Sequence, residues 1–267
     1  MKTICIKTNN QDSIDYLLKS LDNIDLEGIK ISFHKFKIFS NIFIHYNGNK
    51  LVLLLTELAN ILSALIIDEY EPTIEKSIFL RDFFYFDNVE KKEILKRISK
   101  ETFDSNSYSN RKIILFNIFF EFLNNEHTLY LKGFITFRLQ KYKDELSSQI
   151  ESIINEYIVE KEYDEFVSLL NLYVNSEESK IDCVHLIYKN QEPILLDQNH
   201  KPIETDTNLL NAKYLSDITF SSADVVFNTL LNIIPKKIYI HLNNRDEDEF
   251  INTLELVFEN RVYLIRG

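Results

Sequence analysis

The 267-residue chain has no tryptophan, and only four glycines, four prolines, two cysteines and one methionine. So few glycines cannot build a glycine-rich phosphate cradle, and neither G-x-x-x-x-G-K-[ST] nor G-x-G-x-x-G occurs. H-E-x-x-H and G-x-S-x-G are missing as well, which removes the common zinc-peptidase and serine-hydrolase signatures. Two thiols make no disulfide framework; Cys5 and Cys183 both lie in apolar, strand-like runs, where cysteine acts as a small hydrophobe. Basic charge is also short. Thirty Lys and Arg against 41 Asp and Glu leave a net charge of -11, which works against general attraction to nucleic acid or anionic lipid. The start Met1-Lys2-Thr3-Ile4 lacks an apolar signal core followed by a small-residue cleavage site, so the expected location is the cytoplasm.

What is present is the balance of a globular protein: 45% hydrophobic and 27% charged residues. The most apolar stretch, Leu51 to Ile67, carries Glu57 and Asn60 near its centre and falls short of the roughly 20 residues a membrane span needs. A buried helix is expected there rather than a span.

The pattern of apolar residues predicts an α+β protein in three segments. Residues 1–48 read as a small β-α-β-β unit: the alternating run Thr3–Thr8, a helix with Ile14, Leu17, Leu18 and Leu21, and a hairpin of Ile29–Phe36 with Ile42–Tyr46 around Ser40-Asn41. Residues 49–178 read as a helical bundle, with helices over 50–70, 72–81, 89–102, 109–126 and 129–178, the last broken once. Pro72 suits a first helical turn, Asp87 or Asn88 can cap the Val89 helix, and Ser109 or Asn110 can cap the next. Residues 179–267 read as an α/β module of hairpin, helix, strand, helix and strand. Its strands at 237–241 and 261–265, joined by a crossover helix, imply a parallel pair.

Three groups of residues are candidates for function. Phe134, Phe137, Arg138 and Tyr142 fall on one face if residues 133–142 form a single helix. An arginine among aromatics must be stacked or fork-bonded to a carboxylate, because burying it unpaired is costly. The segment from Glu145 to Lys180 holds nine acidic residues against two lysines. Arg138 is therefore expected to lock its helix to the acidic one through Glu160 or Glu162, and these two helices are the candidate protein-binding faces. Near the C-terminus, His241 and Asn243 end a strand in the position where open α/β folds bind ligands, with Ser221 or Ser222 at a neighbouring helix start. A small-ligand or enzymatic site there is the alternative to a protein-binding role. The third group, Cys183 and His185, shares one strand face but is too few for a tetrahedral site. No catalytic residue, cofactor or metal site is expected.

The blocks Gly133-Phe134-Ile135-Thr136-Phe137-Arg138-Leu139-x-x-Tyr142 and Tyr157-Ile158-Val159-Glu160-Lys161-Glu162-Tyr163-x-x-Phe166 resemble the YtxC-like family of sporulation proteins from spore-forming Firmicutes. So do Lys180-Ile181-Asp182-x-Val184-His185-Leu186-Ile187, Leu195-Leu196-Asp197 and the run Pro235–His241 before an acidic helix. The resemblance implies a sporulation setting. It brings no reaction, cofactor or catalytic residue with it. The resulting expectation is a cytoplasmic, non-enzymatic protein acting on an unknown protein partner, with no nucleic acid and no membrane span.

Overall fold

The computed structural model describes residues 2–101, 105–189, 192–203, 221–242 and 246–266. The architecture is α+β, and the chain divides into two compact units, residues 1–157 and 158–267.

The first unit opens with β1 (Lys2–Thr8), whose Ile4, Cys5 and Ile6 are buried, and α1 (Gln11–Asp22), capped by the Asn10 side chain on the Ser13 N–H at 3.1 Å. Strands β2 (Ile29–Lys35) and β3 (Ser40–Tyr46) form the expected hairpin, but its turn is Phe36–Phe39 rather than Ser40-Asn41. The Phe36 N–H donates to the Phe39 carbonyl at 2.9 Å, and β3 keeps one parity from Ser40 through Ile42, Ile44 and Tyr46, all buried. That parity extends the strand back over the two residues expected to turn.

Helix α2 (Leu51–Leu65) buries Leu54, Leu55, Leu58, Ala59 and Leu62 within this unit and packs against α5 (Ser105–Asn125). By length and composition the 32-residue run Leu51–Asp82 could cross a membrane; half of its most apolar window is buried inside the protein. One helix was expected to run from 50 to 70. Instead α2 passes into a π turn at Ile66–Tyr70, where the Glu71 N–H reaches back to the Ile66 carbonyl. Pro72 explains the change: it has no N–H to donate, and its ring crowds the carbonyl four residues earlier, so the ladder widens by one residue before α3 (Glu71–Asp82) continues.

Helix α4 (Asn88–Glu101) has a reciprocal cap, the Asp87 carboxylate accepting from the Val89 and Glu90 N–H groups and Glu90 accepting from the Asp87 N–H at 2.8 Å. Helix α5 begins four residues before the expected Ser109 cap. Where a helix was expected from residue 129, a short strand β4 (Thr128–Tyr130) pairs parallel to β1 and completes a sheet of order β2-β3-β1-β4. Helix α6 (Leu131–Phe137) and α7 (Gln140–Ser176) follow. The single break expected in 129–178 falls at Arg138-Leu139, where the Thr136 hydroxyl bonds back to the Lys132 carbonyl at 2.8 Å and the Lys143 ammonium takes the Thr136 carbonyl at 3.2 Å.

In the second unit β5 (Ile181–Lys189) and β6 (Glu192–Leu196) form a hairpin, followed by α8 (Ser222–Ile233), β7 (Pro235–His241), α9 (Glu249–Phe258) and β8 (Val262–Ile265). The sheet order is β6-β5-β7-β8, and β5, β7 and β8 run parallel, as the crossover argument required. Val184, Leu186, Ile238 and Ile240 point to one side, where they share a core with Val226 and Leu230 of α8, Leu254 and Val257 of α9, and Val167 and Val174 of α7. Arg261 ties the unit's lower edge, donating to the Ser179 hydroxyl at 3.1 Å and to the Pro235 and Val174 carbonyls at 3.3 and 3.0 Å.

Candidate functional site

The densest polar chemistry in the first unit was not foreseen. Arg111 on α5 is fully buried, and its Nε donates to Glu71 Oε2 at 3.0 Å. The Tyr142 hydroxyl donates to the same oxygen. Arg111 Nη1 reaches the Ser107 hydroxyl at 2.5 Å and Gln149 Oε1 at 3.4 Å, and Ser107 donates to Gln149 at 3.3 Å. Around this core the π turn contributes Tyr70, bonded to Ser13 at 2.7 Å, and Asp68, which accepts from Tyr16 at 3.2 Å. Burial pushes Glu71 above the usual carboxylate range against the opposing pull of Tyr142 and Arg111, and pushes the Tyr142 hydroxyl strongly up. Burial and the neighbouring Asp68 push Tyr16 up to about 12. Beside the ion pair lies a cavity of about 430 Å³ lined by the π turn, α3, α4 and α5.

The physical rule applied to Arg138 is obeyed here by a different arginine. Arg138 is exposed and closes α6, and the helix break takes it off the face that Phe134, Phe137 and Tyr142 were expected to share. Phe137 is 80% exposed, Phe134 is buried against Phe119, and Tyr142 enters the Glu71 cluster. Arg138 lines a cleft of about 410 Å³ whose carboxylates are Glu121 and Glu126, while Glu160 and Glu162 are exposed on the part of α7 that belongs to the second unit.

On the second unit's sheet, the side opposite the core carries His185, Tyr239, His241 and Tyr263. His185 Nδ1 and His241 Nε2 are 3.0 Å apart, so one ring donates and the other accepts. His200, held at a positive φ of 59° in the turn after β6, packs its ring 4.6 Å from His185, and Tyr239 stacks on His185 at 5.2 Å. His241 therefore engages a histidine on the neighbouring strand β5, two residues off its register. Ser221 spends its hydroxyl in a capping box with Asp224, and Asn243 lies outside the described residues.

Along the second half of α7, Val159, Phe166, Leu169 and Tyr173 are exposed by 66%, 58%, 64% and 43%. They occupy a and d positions of one heptad frame, with Glu162 at the intervening d, beside the stripe that Val167 and Val174 bury.

The model of the YtxC-like family matches residues 56–263. The chain belongs to the YtxC-like family. The uncharacterized protein YtxC of Bacillus subtilis (strain 168) is 25% identical over 140 residues, 52% of this chain and 49% of that protein. The chain thus spans about half the length of the curated relative it matches, and no solved structure matches it. The YtxC-like span starts inside α2 and ends in β8, so it holds the Arg111 cluster, the α7 seam and the histidine face alike.

In this YtxC-like chain His185 titrates below its ordinary 6.5, because burial and the adjacent His200 and His241 disfavour the cation. The unfolded chain then binds the proton first, so stability is intact above 6.5 and falls as pH drops toward the folded-state value. Urea melts at about pH 7.5 and 5.5 should show an acid loss that His185→Gln reduces; an unchanged loss in the variant would remove His185 as its source.

Proposed function

We propose that the protein acts by contact with another protein, in the cytoplasm of a sporulating cell, and carries out no reaction of its own. The observation that carries this reading is the exposed α7 seam. Four large apolar side chains at heptad spacing, interrupted once by Glu162, form a stripe of the kind that marks a docking face for a helix. Glu160, Glu162, Asp164 and Glu165 surround it, all exposed. A second copy of the chain would bring Glu162 and its acidic neighbours against their like, so the occupant that fits is an amphipathic helix with basic flanks. The sporulation setting is supported by the sequence blocks that carry the family likeness, three of which lie between residues 133 and 187.

The test is affinity capture of the tagged protein from sporulating and vegetative cells, with Phe166→Asp/Leu169→Asp beside the wild type. Both positions are exposed, so the variant should keep its melting temperature, surface changes costing about 0.5 kcal/mol or less each. The expected result is a partner captured by the wild type during sporulation, released by salt, and lost from the variant. Equal capture by both proteins would overturn the seam, and a partner captured equally in vegetative cells would overturn the setting.

A further inference from the structure

We propose that the cavity between the π turn, α3, α4 and α5 is a binding site for a small organic cation with an apolar body, an aliphatic amine being the simplest member of that class. The inference is independent of the α7 seam. The space is about 430 Å³, within the range of small-molecule sites, and it is lined on one side by Ile67, Pro72, Leu95 and Ile98. Its polar side is built rather than incidental. Glu71 and Glu75 line it at 4% and 5% exposure, one helical turn apart on α3, and Arg111 lines it at 0%. These are two carboxylates against one guanidinium. Lys76, also in the lining, is exposed and keeps its charge in water.

Among the described lining residues the buried formal charge is therefore negative, in surroundings where attraction is several-fold stronger than in water. An anion is ill suited to the site: Arg111 already directs Nε to Glu71 and Nη1 to Ser107 and Gln149, and an incoming carboxylate would meet the buried Glu71 and Glu75. A cation gains from the same carboxylates and from the Tyr108 ring in the lining. The π turn sets this geometry. By widening the helix just before Glu71, it places Asp68 and Glu71 at one cavity edge, and π turns recur at functional sites.

The test uses the full chain and three probes of equal length: n-butylamine, n-butanol and butyrate. Calorimetry and thermal shift should show saturable binding of the amine alone. Glu75→Gln should weaken it at least tenfold. Ser99→Phe, at an exposed lining position, should block it while leaving circular dichroism unchanged, and this variant decides the matter if Glu75→Gln fails to fold. No saturable amine binding up to about 10 mM means a hydrated cavity only and overturns the proposal. Equal binding of butanol or butyrate, or amine binding untouched by both substitutions, overturns it as well.

Discussion

Replacing Arg111 with alanine should destabilise the first unit by about 3–5 kcal/mol, the usual result of removing one partner from a buried ion pair. The residue is fully buried, its Glu71 partner is 4% exposed, and the Tyr142 hydroxyl completes the carboxylate's shell. Without the guanidinium, Glu71 must be buried as an anion or take up a proton. Either route costs free energy, and the space left by the side chain adds to it. For a unit of this size the loss corresponds to a fall of roughly 6–20 °C in melting temperature. A triple variant, Arg111→Met with Glu71→Leu and Tyr142→Phe, should regain most of the loss, because an apolar replacement of a buried ion pair is often neutral or better. Urea denaturation distinguishes these outcomes. An Arg111→Ala unfolding free energy within about 1 kcal/mol of wild type would mean the pair is solvated in solution.

Phe119→Ala should cost a similar amount, about 3–5 kcal/mol, for a different reason. Phe119 is 0% exposed and stacks on Phe134 with centroids 4.7 Å apart and planes 15° from parallel. Phe134 in turn meets Phe122 edge-on at 4.9 Å, so truncation removes one end of an aromatic row, Phe119–Phe134–Phe122, that joins α5 to α6. Phe119→Leu should lose clearly less, since it keeps most of the buried volume. If alanine and leucine cost the same, aromatic stacking rather than cavity formation dominates, and the cavity account is wrong.

The hydrophobic pattern made most of this fold legible. The strand at residues 3–8, the parallel β7–β8 pair, the Ser221 start of α8 and the single break in 129–178 all follow from periodicity and capping chemistry. Short and irregular features were harder to read. Strand β4 has three residues with only Leu129 buried, too few for any period to emerge. The break at Arg138-Leu139 has neither proline nor glycine beside it; a threonine back-bond and a lysine side chain make it.

The polar cluster did leave a signal, one of position rather than motif. Arg111 continues the four-residue stripe of Leu115, Phe119 and Leu123, all buried, and Glu71 and Glu75 continue the stripe that ends at Phe79. A charged residue extending a core stripe calls for a buried opposite charge, whereas Arg138 lies exposed at the end of α6. On the histidine face no such cue exists, because His185, His200 and His241 come from three separate elements and meet only when β5 and β7 pair.

The parallel β1–β4 ladder also sets an order of events during synthesis. Cys5 pairs with Thr128, so one edge of β1 leaves the ribosome 123 residues ahead of its partner. At 5–20 residues per second the wait is roughly 6–25 s. Throughout it a strand with two isoleucines in its core offers an unpaired edge to any other nascent chain. Chains arrested before residue 128 should therefore self-associate more readily than chains arrested after α6 has emerged, which sedimentation of ribosome-released fragments would reveal. The strand that closes the sheet thus also ends the interval in which this edge of β1 stands unpaired.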